Sequence, residues 1–307
     1  MSDENVDRYA PLPSGLTICF RDFGDAANPP ILLVGGLGED LTSWTGPFVG
    51  ALVAQRFRVI VMDNRDVGRS TFVATPPPRM WRQVLACPRP DGYSLADMAG
   101  DCVGVLDHLG IAQVHLVGRS MGGMIAQTVA ATEPRRVLSL TSIYSTTGAR
   151  KVGRPALSTI RLLMGPPART RTAAVRAHLR ITGHIAGTAY PIHDAAEAAI
   201  AARAWDRSGG DQAAGVARQI QAIQSSGDRT AQIRRIAAPT LVINGDRDLM
   251  VDPGGGAATV AAIRRAQHVV ITGMGHHISE ALVDPITTYI SQHAHRVSQG
   301  GKHVEIH

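Results

Sequence analysis

Short apolar runs and turn residues alternate along the first third of the chain. Leu16–Phe20 reads as an edge strand. Pro29 and Pro30 precede the run ILLVGG, and Phe57–Asp63 is a further β-rich run behind a helix closing over Ala51–Gln55. From Ser94 to Leu109 the period changes. Leu95, Met98, Cys102, Val105, Leu106 and Leu109 recur at helical spacing. Ser94 with Asp97 three residues on predicts a capped start, and Gly110 a stop. Val114–Gly118 is continuously apolar, as a strand buried on both faces requires. A helix over Met121–Thr132 and a strand over Val137–Ile143 follow. Strands alternating with helices predict an α/β fold with a mostly parallel sheet.

Between about Gly148 and Arg235 no strand pattern occurs. Helical patches fall at Thr172–Ile181, Ala195–Trp205 and Ala213–Gln224, punctuated by Gly and Pro. This stretch reads as a helical cap inserted over the sheet. Strand patterns resume at Ala238–Asn244 and Gln267–Thr272, and Leu282–Ala294 is a closing amphipathic helix. The expected organisation is a core of residues 1–145 and 236–297, a cap at 146–235 and a flexible tail at 298–307.

Composition narrows the classes. In 307 residues, 44% are hydrophobic and 18% charged, so a mainly disordered chain is excluded. No apolar run of 18 residues exists, so no transmembrane helix is expected. The start, MSDENVDRYAP, is acidic and lacks the apolar stretch of a secretory signal, which favours the cytoplasm. Cys19, Cys87 and Cys102 are odd in number and widely spaced; they read as buried thiols rather than a disulfide framework. His293, His295, His303 and His307 crowd the C-terminus, but a metal site there is not expected. The net charge is +6, and 29 of the 31 basic residues are arginines. They interleave with no aromatic platform, so a nucleic-acid partner is not expected. Residues 148–235 hold 14 basic and 5 acidic residues. That segment reads as a solvated helical surface, or else as a basic rim steering anionic substrates.

The chemistry concentrates at strand ends. Gly118-Arg-Ser120-Met-Gly122 matches G-x-S-x-G, with an apolar strand before it and a helix after it. That context puts Ser120 on a sharp strand-to-helix turn with its hydroxyl above the sheet edge. A serine hydroxyl is a weak nucleophile and needs a base. Downstream, Asn244-Gly-Asp246-Arg-Asp248 and Gly273-Met-Gly-His276-His277 each close a strand pattern. Asp248 lies deeper in its loop, ahead of Leu-Met-Val, and is preferred as the acid; Asp246 then braces the loop. His276 follows Gly275 directly and is preferred as the base; His277 then packs or faces solvent. Acyl transfer also needs donors for an oxyanion. The backbone N–H groups of Met121 and Leu37 are the candidates, the latter in the Gly35-Gly36-Leu37-Gly38 loop. Asp63-Asn-Arg65-Asp66 reads as a hydrogen-bonded network holding that loop. Arg119 either pairs with a nearby acid or meets substrate.

The blocks LLVGGLGEDLTSW, VMDNRDVGRST, LVGRSMGGMIAQ, LVINGDRDLMVDP and GMGHHIS carry a resemblance to the α/β-hydrolase superfamily over about residues 14–296. DNRDVGRST and the block order look similar to aclacinomycin methylesterase-like bacterial serine esterases. The resemblance implies an α/β-hydrolase fold and a cofactor-free serine hydrolase. Ser120 would be the nucleophile, His276 the base and Asp248 its orienter. The expected substrate is a small, mainly apolar carboxylic ester. One departure is Gly35-Gly36, where many relatives carry His-Gly. Lactonase, thioesterase, C–C bond hydrolase and cofactor-free perhydrolase activities share this constellation. A hydrolase-like binding protein is the remaining alternative. Oligomeric state is not readable from the sequence.

Overall fold

The computed structural model describes residues 6–300. Its centre is one eight-stranded sheet: β1 (Arg8–Pro11), β2 (Thr17–Phe23), β3 (Pro30–Val34), β4 (Arg58–Met62), β5 (Val114–Arg119), β6 (Val137–Ile143), β7 (Thr240–Gly245) and β8 (Ala266–Ile271). The spatial order is β1-β2-β4-β3-β5-β6-β7-β8. β2 runs antiparallel to β1 and β4, and the remaining pairs are parallel. The strand expected at the sheet edge, Leu16–Phe20, is therefore covered. The four-residue β1 takes the edge, and a pattern as short as Arg-Tyr-Ala-Pro carries too few alternations to be read.

The two-residue period of the strands deals side chains to two cores. Leu32, Val34, Ile60 and Met62 join one, with Leu95, Met98 and Val105 of α3 (Leu95–His108) and Ile125 and Val129 of α4 (Met121–Thr132). Ile31, Leu33, Val59 and Val61 join the other, with Phe48 and Leu52 of α1 (Gly46–Ala54) and Leu282, Ile286 and Ile290 of α11 (Glu280–Gly300). A short α2 (Met80–Val84) precedes α3. The α3 start is the capping box expected from the sequence: Ser94 Oγ accepts from the Asp97 amide while Asp97 accepts from the Ser94 amide. Between β7 and β8 lies α10 (Gly254–Ala262).

Residues 148–235 carry α5 (Leu157–Leu163), α6 (Arg171–Ile185), α7 (Asp194–Arg207), α8 (Ala213–Ser226) and α9 (Thr230–Ile233), with no strand. Three of their arginines turn inward and belong to neither a solvated surface nor a rim. Arg218 forms a two-pronged pair with Asp66, at 2.6 and 2.9 Å. Arg207 donates to Asp7, Asp40 and Asp63 at 2.6–2.8 Å. Arg229 has three acceptors, the carbonyls of Met124 and Thr146 and the amide oxygen of Gln127. Burial without a carboxylate bonded to it pushes Arg229 down to about 10.

Two expectations are corrected. Cys87 is exposed, whereas Cys19 and Cys102 are buried; Cys87 lies just past α2, on a segment with no buried residue of its own helix. Residues 298–300 are the last residues of α11 rather than the start of a tail. The chain there meets no breaker before Gly300, and Ser298 Oγ donates back to the Ala294 carbonyl at 3.2 Å. Residues 301–307, with His303 and His307, lie outside the described residues. Among the described residues no helix is long and apolar enough to cross a membrane.

Removing one partner of a buried ion pair leaves the other charge unpaired. Arg218→Met is expected to lower stability by about 3–5 kcal/mol, read as a fall in the urea midpoint at unchanged slope. Arg218→Met combined with Asp66→Asn should cost less than the single change.

Candidate functional site

The residues expected to act together all follow the C-terminal ends of parallel strands: the Leu37 loop after β3, Ser120 after β5, Asp248 after β7 and His276 after β8. Open parallel sheets present their ligand sites at such ends. Ser120 sits at φ 53°, ψ −123°, a left-handed conformation that a serine tolerates only where its surroundings enforce it. Its N–H donates to the Ile143 carbonyl at 2.9 Å, and its carbonyl accepts from Ser145 Oγ at 2.8 Å. Crowding explains the flanking glycines. A Cβ at Gly118 would strike the backbone of Gly122, and one at Gly122 would strike the carbonyls of Val34 and Gly35.

Ser120 Oγ lies 2.9 Å from His276 Nε2, and His276 Nδ1 lies 2.6 Å from Asp248 Oδ2. A carboxylate offers only acceptors, so Nδ1–H donates to Asp248. Nε2 of the neutral ring is then left to accept from the serine hydroxyl. Asp248 is itself held in place, since its Oδ1 accepts from the Met250 and Val251 amides, both at 2.8 Å. Asp248 and His276 are buried while Ser120 is partly exposed. The arrangement can move a proton from Ser120 to His276 as Ser120 bonds to an electrophile. The Leu37 and Met121 amides meet no acceptor among the described residues. The two amides beside Leu37 are tied: Gly36 N–H donates to Glu39 Oε2 at 2.6 Å, and Gly38 N–H to Gln219 Oε1 at 2.9 Å.

The neighbouring residues separate cleanly. Asp246 Oδ1 accepts from the Gly273 amide at 2.6 Å and braces the loop. His277 faces neither the serine nor open solvent; it pairs with Glu197 of α7 at 3.1 Å. Asp63 accepts from the Leu41 amide at 2.6 Å and the Arg69 amide at 2.8 Å, and Asn64 Nδ2 donates to the Gly35 carbonyl at 3.0 Å. Burial pushes Asp63 up to about 6 despite Arg207 beside it. Arg65 pairs with Asp101. Arg119 pairs with Glu39. His108 is exposed, and His115 is a core residue against Ser139 Oγ, driven down to about 4 by burial. Among the described residues no group of three or more His, Cys, Asp or Glu side chains is placed to hold a metal ion.

A family model described as the alpha/beta hydrolase fold matches residues 29–280. The chain belongs to this α/β-hydrolase family. It is 26% identical to the rhodomycin D methylesterase DauP of Streptomyces sp. (strain C5) over 302 residues, covering 91% of this chain and 95% of that protein. It is 34% identical to the rhodomycin D methylesterase DnrP of Streptomyces peucetius over 129 residues, which is 41% of this chain and only 38% of that protein. In structure it resembles the enol-lactonase from Burkholderia xenovorans LB400. That match has a TM-score of 0.70 at 24% identity, over 93% of this chain and 99% of that one, a likeness of fold.

Two residues that hold the site have no role assigned from the sequence. Glu39 lies within the block LLVGGLGEDLTSW. Glu197 lies outside every block, and nothing in the local pattern of α7 marks it. Burial raises the Glu197 carboxyl, but hydrogen bonds from His178, at 2.7 Å, and His277 overcome this and hold it down at about 2. A depressed carboxyl stabilises the fold above its unfolded pKa and loses that contribution as pH falls through its folded one. Glu197→Gln should therefore melt below wild type at pH 6. The gap should narrow between pH 4.5 and 2, in thermal melts recorded across that range.

Proposed function

We propose that the chain is a serine hydrolase that cleaves a carboxylic ester of a small, mainly apolar substrate through an acyl-enzyme. The observation that carries this reading is the continuous relay Ser120 Oγ–His276 Nε2–Asp248 at 2.9 and 2.6 Å. Ser120 attacks the ester carbonyl while His276 takes its proton. The same imidazole then returns the proton to the leaving alkoxide. Asp248 fixes the ring and stabilises its charged form. The tetrahedral oxyanion is received by the Leu37 and Met121 amides, the first held in a fastened loop and the second at the first turn of α4, where the helix dipole favours negative charge. Water activated by His276 releases the acid. The reaction needs no metal or organic cofactor.

Helices α5–α9 are read as the cap over this site. Its chemistry supports an apolar acyl or alcohol group, because the segment is rich in Ala, with Ile and Leu beside it. The methylesterase relatives support an ester over the other bonds that this constellation can cleave.

Hydrolysis of p-nitrophenyl esters from acetate to decanoate tests the reading. The expected result is turnover with a chain-length optimum, lost by at least about 10³-fold in Ser120→Ala. A folded sample that hydrolyses none of the series overturns it. Asp248→Asn keeps the hydrogen-bonding shape but permits the wrong histidine tautomer, so kcat should fall by about 10⁴-fold with little change in KM.

A further inference from the structure

Arg119 stands between Gly118 and Ser120, and its side chain is only 7% exposed. A buried guanidinium needs partners on several sides. Its Nε donates to Glu39 Oε2 at 2.8 Å, and its Cζ lies 4.5 Å from the Trp44 ring centroid. Burial alone would lower its pKa; Glu39 and Tyr144 outweigh burial and hold it above the ordinary arginine value. Tyr144 also packs against His276, with ring centroids 4.3 Å apart.

The Glu39 oxygen that meets Arg119 is the one that accepts the Gly36 amide. Gly36 lies against the serine: a Cβ built on it would stand 3.4 Å from Ser120 Cβ. Gly35, Gly36 and Gly38 make the loop between them conformationally permissive. Of its three consecutive amides, Gly36 is fastened to Glu39, Gly38 to Gln219, and Leu37 between them is left without an acceptor among the described residues. Glu39 is 36% exposed in its side chain, and without Arg119 a solvent-facing rotamer would release Gly36.

We propose that Arg119 and Glu39 form a positioning pair that ties the Leu37 loop to the serine turn and so presets the Leu37 amide for the oxyanion. This rests on the ester-hydrolysis reading above. The pair touches no reacting atom. It acts by keeping a donor aimed at the place where charge develops, and such preorganisation acts on the transition state rather than on ground-state binding.

The test compares Glu39→Ala, Glu39→Gln, Arg119→Met and the double variant Glu39→Ala/Arg119→Met. Ester kinetics is one readout. The rate of fluorophosphonate labelling at Ser120 and hydrogen exchange at the Gly36 amide are two others. Loss of one oxyanion donor costs ~10²–10³ in kcat. Glu39→Ala and Arg119→Met should each lose about 100-fold in kcat with KM within a few-fold. The double variant should be little worse than either single change. Glu39→Gln retains an oxygen acceptor for both donors and should keep kcat within about tenfold of wild type. Labelling should slow in the same order, and Gly36 exchange should quicken in Glu39→Ala but not in Glu39→Gln. A loss confined to KM, additive single losses, or a Gly36 amide unmoved in Glu39→Ala overturns the pair. If the wild type hydrolyses no ester, the proposed reaction fails. Labelling and Gly36 exchange still decide the positioning role.

Discussion

The turn at Ser120 is the constraint around which the site is arranged. A strand buried on both faces must reverse into a helix within one residue. The serine there is driven to positive φ and pays with strain. The strain persists because the backbone closes in on both sides, with β3 carbonyls against Gly122 and Gly122 against Gly118. No side chain larger than hydrogen fits at those contacts. The same closeness brings the loop after β3 against Ser120, so the serine turn and the Leu37 loop are set by one packing event.

Around this turn, charge rather than apolar area governs the finer placement. Arg207 from α7 gathers Asp7, Asp40 and Asp63. Asp40 caps the short turn after the Leu37 loop, and Asp63 takes the Leu41 amide. Gln219 of α8 holds Gly38, and Glu197 of α7 holds His277. The amides of Gly275 and His276 donate to the carbonyls of Ala186 and Ile185 at the end of α6. The loops that carry Leu37 and His276 therefore each have polar attachments to the helical segment 148–235. Buried ion pairs add little net stability once desolvation is counted, but they penalise wrong arrangements heavily. That suits a site whose loops must hold one geometry.

The alternation of apolar and polar positions was sufficient to place most strands and helices, because both core faces are built by local periods. The short β1 was not legible, and β2 was misplaced at the edge for that reason. The extension of α11 to Gly300 was hidden because helix ends depend on local hydrogen bonds more than on period. The candidate residues were legible where the backbone demanded unusual chemistry at fixed spacing, as at Gly118-Arg-Ser120-Met-Gly122. The structure places Asp248 and His276 in hydrogen-bonded line with Ser120, while Asp246 bonds the Gly273 amide and His277 meets Glu197. Arg119 was legible only as a question, since its partner Glu39 lies 80 residues earlier.

By itself the sequence determined an α/β chain with a serine, an acid and a histidine at three strand ends, because period and turn chemistry are local properties. Tertiary structure alone decided which charges meet. It paired Arg119 with Glu39, turned Arg207, Arg218 and Arg229 inward from a segment that reads as basic surface, and tied His277 to Glu197. Those pairings join positions from 80 to 200 residues apart, with no periodicity to announce them. Their energies depend on burial that only the folded chain creates.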